Sequence, residues 1–86
     1  MALDGNAIGG LLVEIFGNDM TSAEAICATC GAESPVAETA VYGRGPGTVV
    51  RCRRCTSVLM VIARVRRLNC VDLSGLAALE AKPDPE

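Results

Sequence analysis

Cys27-Ala28-Thr29-Cys30-Gly31 and Cys52-Arg53-Arg54-Cys55, with twenty-one residues between the two pairs, are the stretches that decide how this chain folds. A tight Cys-x-x-Cys turn sets two sulfurs on one side of the backbone, with amide N–H groups aimed at them. Gly31 supplies the backbone freedom such a turn needs just past its second cysteine. Two turns of this kind, brought together by a hairpin, complete a tetrahedron of thiolates around a metal ion, with metal–sulfur distances of about 2.3 Å. One pair alone is a weak signal, but two separated by strand-like sequence form a strong one. The expected ligands are Cys27, Cys30, Cys52 and Cys55, holding one structural Zn²⁺ per chain, with iron the second choice. Four protein ligands close the coordination shell, which points to structure rather than catalysis.

The sequence between the pairs contains the required hairpin. Val36 to Tyr42 alternates and predicts a strand. Gly43-Arg44-Gly45-Pro46-Gly47 predicts a turn, and Thr48 to Cys52 a returning strand. Beyond the second pair, Val58 to Arg67 predicts a third strand, apolar on both faces in its first half and therefore central. Leu68 to Leu73 then pairs back. Gly75 to Ala81 predicts a final helical turn capped by Asp72 or Ser74, with Leu76 and Leu79 facing inward. Before the first pair, Ile8, Leu11, Leu12, Ile15 and Phe16 fall at helical spacing. A helix is expected over Asp4 to Phe16, with Asp4 as its N-cap and Gly17 as its stop. Its glycines weaken it on its own, so it needs tertiary packing; the Gly5–Gly9 spacing also permits a close contact.

Composition explains why a metal would be needed. The chain has 86 residues, half of them hydrophobic, and its aromatics are Phe16 and Tyr42 alone. A core of small aliphatics in so short a chain buries only about 60% of the unfolded surface, and domains of this size usually carry a staple. Five cysteines do not pair off evenly into disulfides. The first sixteen residues lack the basic start and apolar run of a secretory leader, and no apolar stretch approaches the ~18 residues of a membrane span. These features predict a cytoplasmic, membrane-free protein with reduced thiols.

The two knuckles and the hairpin between them resemble a zinc ribbon, the rubredoxin-like four-cysteine group, over about residues 25–67. The opening Met1-Ala2-Leu3-Asp4-Gly5-Asn6-Ala7, together with Thr48-Val49-Val50-Arg51-Cys52 and Cys70-Val71-Asp72-Leu73, is also similar to a family of short actinobacterial zinc-ribbon-like proteins. That resemblance implies a fold and no activity, with flavin- or molybdenum-dependent oxidoreductases as neighbours of its members. The expected fold is a small α+β zinc ribbon, a three- to four-stranded antiparallel sheet with a short N-terminal helix. Residues 1–20 would pack that helix on a ribbon domain spanning 21–81, and 82–86 would form a flexible tail. The chain departs from the strongest ribbon pattern at Thr56, which follows Cys55 where a glycine is usual.

Charge is polarised along the chain. Residues 1–42 carry six acids and no base, residues 43–67 carry seven arginines and no acid, and the net charge is -2. Arg51, Arg53 and Arg54 flank the second pair and would offset the -2 of a zinc tetrathiolate. A phosphate-binding surface made with Arg44, Arg64, Arg66 and Arg67 is the alternative, opposed by the shortage of aromatics for base stacking. Cys70, in an apolar strand, reads as a small buried hydrophobe, and Glu33 and Glu38 as solvated strand residues. There is no histidine, no Ser/His/Asp set and no phosphate loop, so an enzyme is not expected. The readings that remain are a protein-interaction module with an unnamed protein partner or a homodimer, a nucleic-acid-binding ribbon, and an iron-loaded electron carrier or thiol switch.

Overall fold

The structure, a computed structural model, describes residues 3–44 and 47–80. Its elements run β1 (Leu3–Asp4), a 3₁₀ turn (Gly5–Ile8), α1 (Gly9–Phe16), β2 (Glu24–Cys27), β3 (Glu33–Pro35), a second 3₁₀ turn (Val36–Glu38), β4 (Ala40–Arg44), β5 (Gly47–Arg51), β6 (Val58–Val65), β7 (Leu68–Asp72) and β8 (Leu76–Glu80). Two antiparallel sheets result, one of five strands in the order β1-β4-β5-β6-β7 and one of three in the order β3-β2-β8. This is a small α+β fold of the zinc-ribbon kind, with more strands than the three or four expected.

The N-terminal helix forms with a tighter start than its periodicity predicts. The Asp4 side chain accepts from the Asn6 N–H and caps the 3₁₀ turn, which passes into α1. Gly17, in the left-handed conformation, ends the helix and donates to the Val13 carbonyl. Ile8 and Leu12 enter the core, and Leu11, Ile15 and Phe16 pack against it. At this start Gly5 lies so close to the Val36 carbonyl that no side chain fits.

The five-stranded sheet is one-sided. Pairing Val41 with Val50 and Val50 with Met60 places these residues on one face, together with Ile62. All four are buried with Leu12 in the core. The opposite face carries Tyr42, Val49 and Val61, none of them fully buried. The central strand is β5; β6 lies beside it, one place from the edge. Only at Leu59 and Met60 does β6 bury neighbouring residues on both faces.

Besides the place of β6, four further expectations are corrected. The segment predicted as a strand from Val36 begins as a 3₁₀ turn, and the strand starts at Ala40. Gly43, Arg44 and Gly47 belong to strands rather than to the turn; Gly45 and Pro46 lie outside the described residues. The predicted final helical turn is instead β8, antiparallel to β2, with Ala25 opposite Leu79 and Cys27 opposite Leu76. Leu-Ala-Ala-Leu-Glu favours helix locally, yet five residues cannot sustain one, and the free edge of β2 offers a ladder of backbone partners. Leu76 and Leu79 still pack on the core, as expected of them. Fourth, Cys70 is exposed rather than buried. The expected tail, residues 82–86, lies outside the described residues.

Candidate metal centre

Each cysteine pair sits in a turn at the end of a strand. Cys27 closes β2, and Cys52 directly follows β5. The two turns have the same hydrogen-bond plan. The Cys27 N–H donates to the Ala32 carbonyl and the Gly31 N–H to the Cys27 carbonyl, both at 2.9 Å. In the second turn the Cys52 N–H donates to Ser57 and the Thr56 N–H to Cys52, again at 2.9 Å. The left-handed position is Gly31 in the first, with φ 75°, and Thr56 in the second, with φ 66°. Thr56 therefore adopts the glycine conformation despite its branched side chain, at a cost of about 1–2 kcal/mol. Its hydroxyl donates to the Cys55 carbonyl, and its own carbonyl accepts from Arg51 at 2.8 Å.

The two turns face each other. All four Sγ atoms lie within 4.8 Å of one another. Across the turns, Cys27 and Cys55 are 3.6 Å apart and Cys30 and Cys52 are 3.8 Å apart. A tetrahedral ion with metal–sulfur bonds of about 2.3 Å requires S···S edges of about 3.8 Å. Disulfides, at about 2.05 Å, would be far shorter. The donor set and its spacing thus fit one tetrahedral soft metal ion. Cys27 and Cys52 are buried, Cys55 is half-buried and Cys30 is exposed.

The thiols are electrostatically unequal. Hydrogen bonds from the Ser57 hydroxyl and then the Ser57 N–H pull the Cys55 thiol down to about 6. The Ala32 N–H acts in the same sense on Cys30, but desolvation and the sulfurs of Cys55, Cys52 and Cys27 outweigh it and push that thiol up to about 11. In both turns the bonded amide lies two residues beyond the second cysteine. The sequence reading did not single out Ser57 or Ala32; their fixed offset from Cys55 and Cys30 is the signal that marks them.

The arginines beside the second turn act as braces. Arg53 Nε donates to the Glu38 carbonyl at 2.8 Å, tying the knuckle to the turn before β4, and Arg51 bridges β5 to Thr56. Arg54 is exposed. Arg64 pairs with Glu14 of α1 at 3.4 Å. Cys70 on β7 stands outside the four-sulfur cluster. Glu33 and Glu38 are exposed, as expected of them. The ion would rest between the two sheets, since β2 and β5 each deliver one turn. A further bond, from the Ala28 N–H to the Gly75 carbonyl at 3.0 Å, locks the first knuckle to the β7–β8 connection. Beside the second knuckle, Tyr42, Gly47, Val49, Arg51 and Thr56 line an open hollow of about 630 Å³.

Residues 1–84 match the model of a family described as "Family of unknown function (DUF6510)", and the chain belongs to that family. No curated protein and no solved structure matches it. Among the described residues, no helix is long and apolar enough to cross a membrane.

Proposed function

We propose that this family member is a non-catalytic zinc ribbon, in which one Zn²⁺ held by Cys27, Cys30, Cys52 and Cys55 fixes the knuckles of a small protein-interaction module. The observation that carries this reading is the convergence of four sulfurs, from two turns of identical hydrogen-bond plan, within 4.8 Å. A bound ion supplies cross-linking between the sheets rather than an open coordination position. Zinc suits the site better than iron because Cys30 is exposed, and a d¹⁰ ion does not change oxidation state on contact with air. Such thiolates belong in a reducing compartment, which favours the cytoplasm. The hollow beside the second knuckle, with Tyr42 and Val49 exposing apolar surface next to Arg51, suits a partner segment that joins an apolar side chain to an acid.

Elemental analysis of the purified chain tests the centre. The expected result is one zinc per chain, with colourless protein and, after cobalt replacement, the intense thiolate-to-cobalt absorption of a tetrahedral four-sulfur site. A red protein with iron at one per chain would instead establish the electron-carrier reading. Capture of a protein by the zinc-loaded chain from its own cell extract, lost on Tyr42→Ala and Arg51→Glu, tests the partner. Nucleic acid is the second reading, favoured by exposed Arg53, Arg54, Arg66 and Arg67. Submicromolar oligonucleotide binding that weakens steeply with salt and is lost on Arg53→Glu with Arg66→Glu would put it first. We expect weak binding, because Glu14 already engages Arg64 and the chain is acidic overall.

A further inference from the structure

Strand β7 is the outer strand of the five-stranded sheet, and among the described residues nothing pairs with its outer side. Proteins usually blunt such edges with proline, lysine, a bulge or an inward charge. The sequence Leu68-Asn69-Cys70-Val71-Asp72 has no proline, lysine or bulge, and it keeps unbroken register with β6. Apolar surface collects there: Leu68 is 70% exposed, Val65 beside it 53% and Val71 36%.

The register identifies which backbone groups are free. Arg66 and Arg67 form the two-residue turn that pairs Val65 with Leu68. The pair closing such a hairpin is hydrogen-bonded, and bonded and non-bonded pairs alternate along the ladder. Leu68, Cys70 and Asp72 therefore spend their N–H and C=O groups on β6. Asn69 and Val71 point theirs outward.

We propose that a second copy of this chain pairs with β7, antiparallel and about a two-fold axis at Cys70, joining the two five-stranded sheets into one continuous sheet. In that register Asn69 lies opposite Val71 of the copy, and both such pairs satisfy every outward group of the strand. A register centred on Asn69 would draw in Arg67 of the turn, and one centred on Val71 would draw in Leu73 beyond the strand. The same register brings Asp72, on the face it shares with Leu68, to the Arg66–Arg67 turn of the copy, so opposite charges meet twice across the axis. Leu68 then lies beside Asp72 of the copy, and the Val65–Leu68 strips of the two chains flank the axis at opposite ends of the seam. Cys70 meets its own counterpart in a non-bonded pair, with Cα atoms about 4.5 Å apart, inside the range a disulfide spans. The dimer does not depend on which metal the cysteine cluster holds.

Sedimentation velocity on the metal-loaded chain gives the mass, and a dimer is expected. Leu68→Glu, which sets an acid opposite Asp72 of the copy, and Val71→Pro, which removes an outward donor, are each expected to yield monomers with full metal content. Diamide then reads the register. The two Cys70 thiols lose two electrons and two protons to the diazene, which becomes the hydrazine, and one interchain disulfide forms. That cross-link is expected in the unaltered chain and absent in Cys70→Ser. In the Cys70→Ser background, Leu68→Cys alone is expected to give none, because Leu68 faces Asp72 of the copy, whereas Leu68→Cys with Asp72→Cys restores it. A monomeric unaltered chain, a dimer that survives Leu68→Glu, or ready cross-linking through Leu68→Cys alone would overturn the proposal.

Discussion

At the scale of single residues, the metal centre is governed by groups that never touch a metal. The Ser57 hydroxyl and N–H both donate to the Cys55 sulfur and hold its thiol down to about 6. Groups bonded to a ligand typically change metal affinity by 10–100-fold when removed. Ser57→Ala keeps the amide and loses the hydroxyl, so zinc affinity is expected to fall about tenfold, measured by competition with a chromogenic chelator. The same chemistry sets a pH dependence. Cys55 titrates below its ordinary value of 9.0, so its thiolate favours the folded knuckle fully above about 9, and that contribution is lost as pH falls through about 6. Protons also compete directly with the metal for sulfur. Zinc retention is therefore expected to drop as the buffer is taken from pH 7 through 6 to 5, followed by dye-reported release. Thr56 makes a second, opposite prediction. Its left-handed φ of 66° costs about 1–2 kcal/mol for a residue with a Cβ, offset in part by glycine's larger unfolded-state entropy. Thr56→Gly should raise the stability of the loaded protein by about 0.5–1 kcal/mol, seen as a higher Tm.

At the scale of elements, the centre depends on how closely two connections approach. Gly75, between β7 and β8, lies against the Val58 carbonyl and the Leu59 backbone with no room for a Cβ. Its own carbonyl accepts from Ala28 in the first knuckle. One glycine thus lets the second sheet, the start of β6 and the metal turn meet. Gly75→Ala would force its backbone away from Val58 and Leu59 and so strain the bond from Ala28. We expect a loss of about 2–3 kcal/mol, in the upper part of the range for point substitutions, together with weaker metal binding. Urea unfolding of the loaded protein measures the first and chelator competition the second. Strand β8 would be the element most disturbed, since its start is held at Gly75 and its length is only five residues.

At the scale of the whole molecule, the core is thin. Its fully buried members include one large aliphatic from the helix, Leu12, with Met60, Ile62 and Val50 from the five-stranded sheet and Val36 from the second 3₁₀ turn. Folding free energies of such domains are at most about 5–15 kcal/mol, and a structural zinc contributes about 10–16 kcal/mol of apparent binding energy in small ribbons. Removing the ion should therefore remove the fold. Dialysis against a strong chelator is expected to collapse the dispersed amide spectrum, and zinc should restore it. Cys30→Ser and Cys52→Ser should behave like the metal-free chain. Cys70→Ala should not, because Cys70 is exposed on β7 and outside the cluster, so it is expected to keep one metal per chain.

The sequence by itself determined what depends on short-range chemistry. Two Cys-x-x-Cys turns at hairpin spacing named the four residues that converge, because a turn of four residues is set by its own backbone. The hairpin of β4 and β5, the long β6, the return of β7 and the helix stopped at Gly17 were legible for the same reason: periodicity and glycine act locally. What the tertiary structure decided was everything that required a partner far along the chain. Leu76 to Glu80 has helical composition and became a strand because β2 had an unpaired edge. Cys70 has apolar neighbours and came out exposed because the strand carrying it took the last place in its sheet. Thr56 could adopt a glycine conformation because Arg51, Cys55 and Cys52 hold it from three sides. Local pattern says which face of a strand is apolar, but whether anything covers that face depends on where the rest of the chain runs.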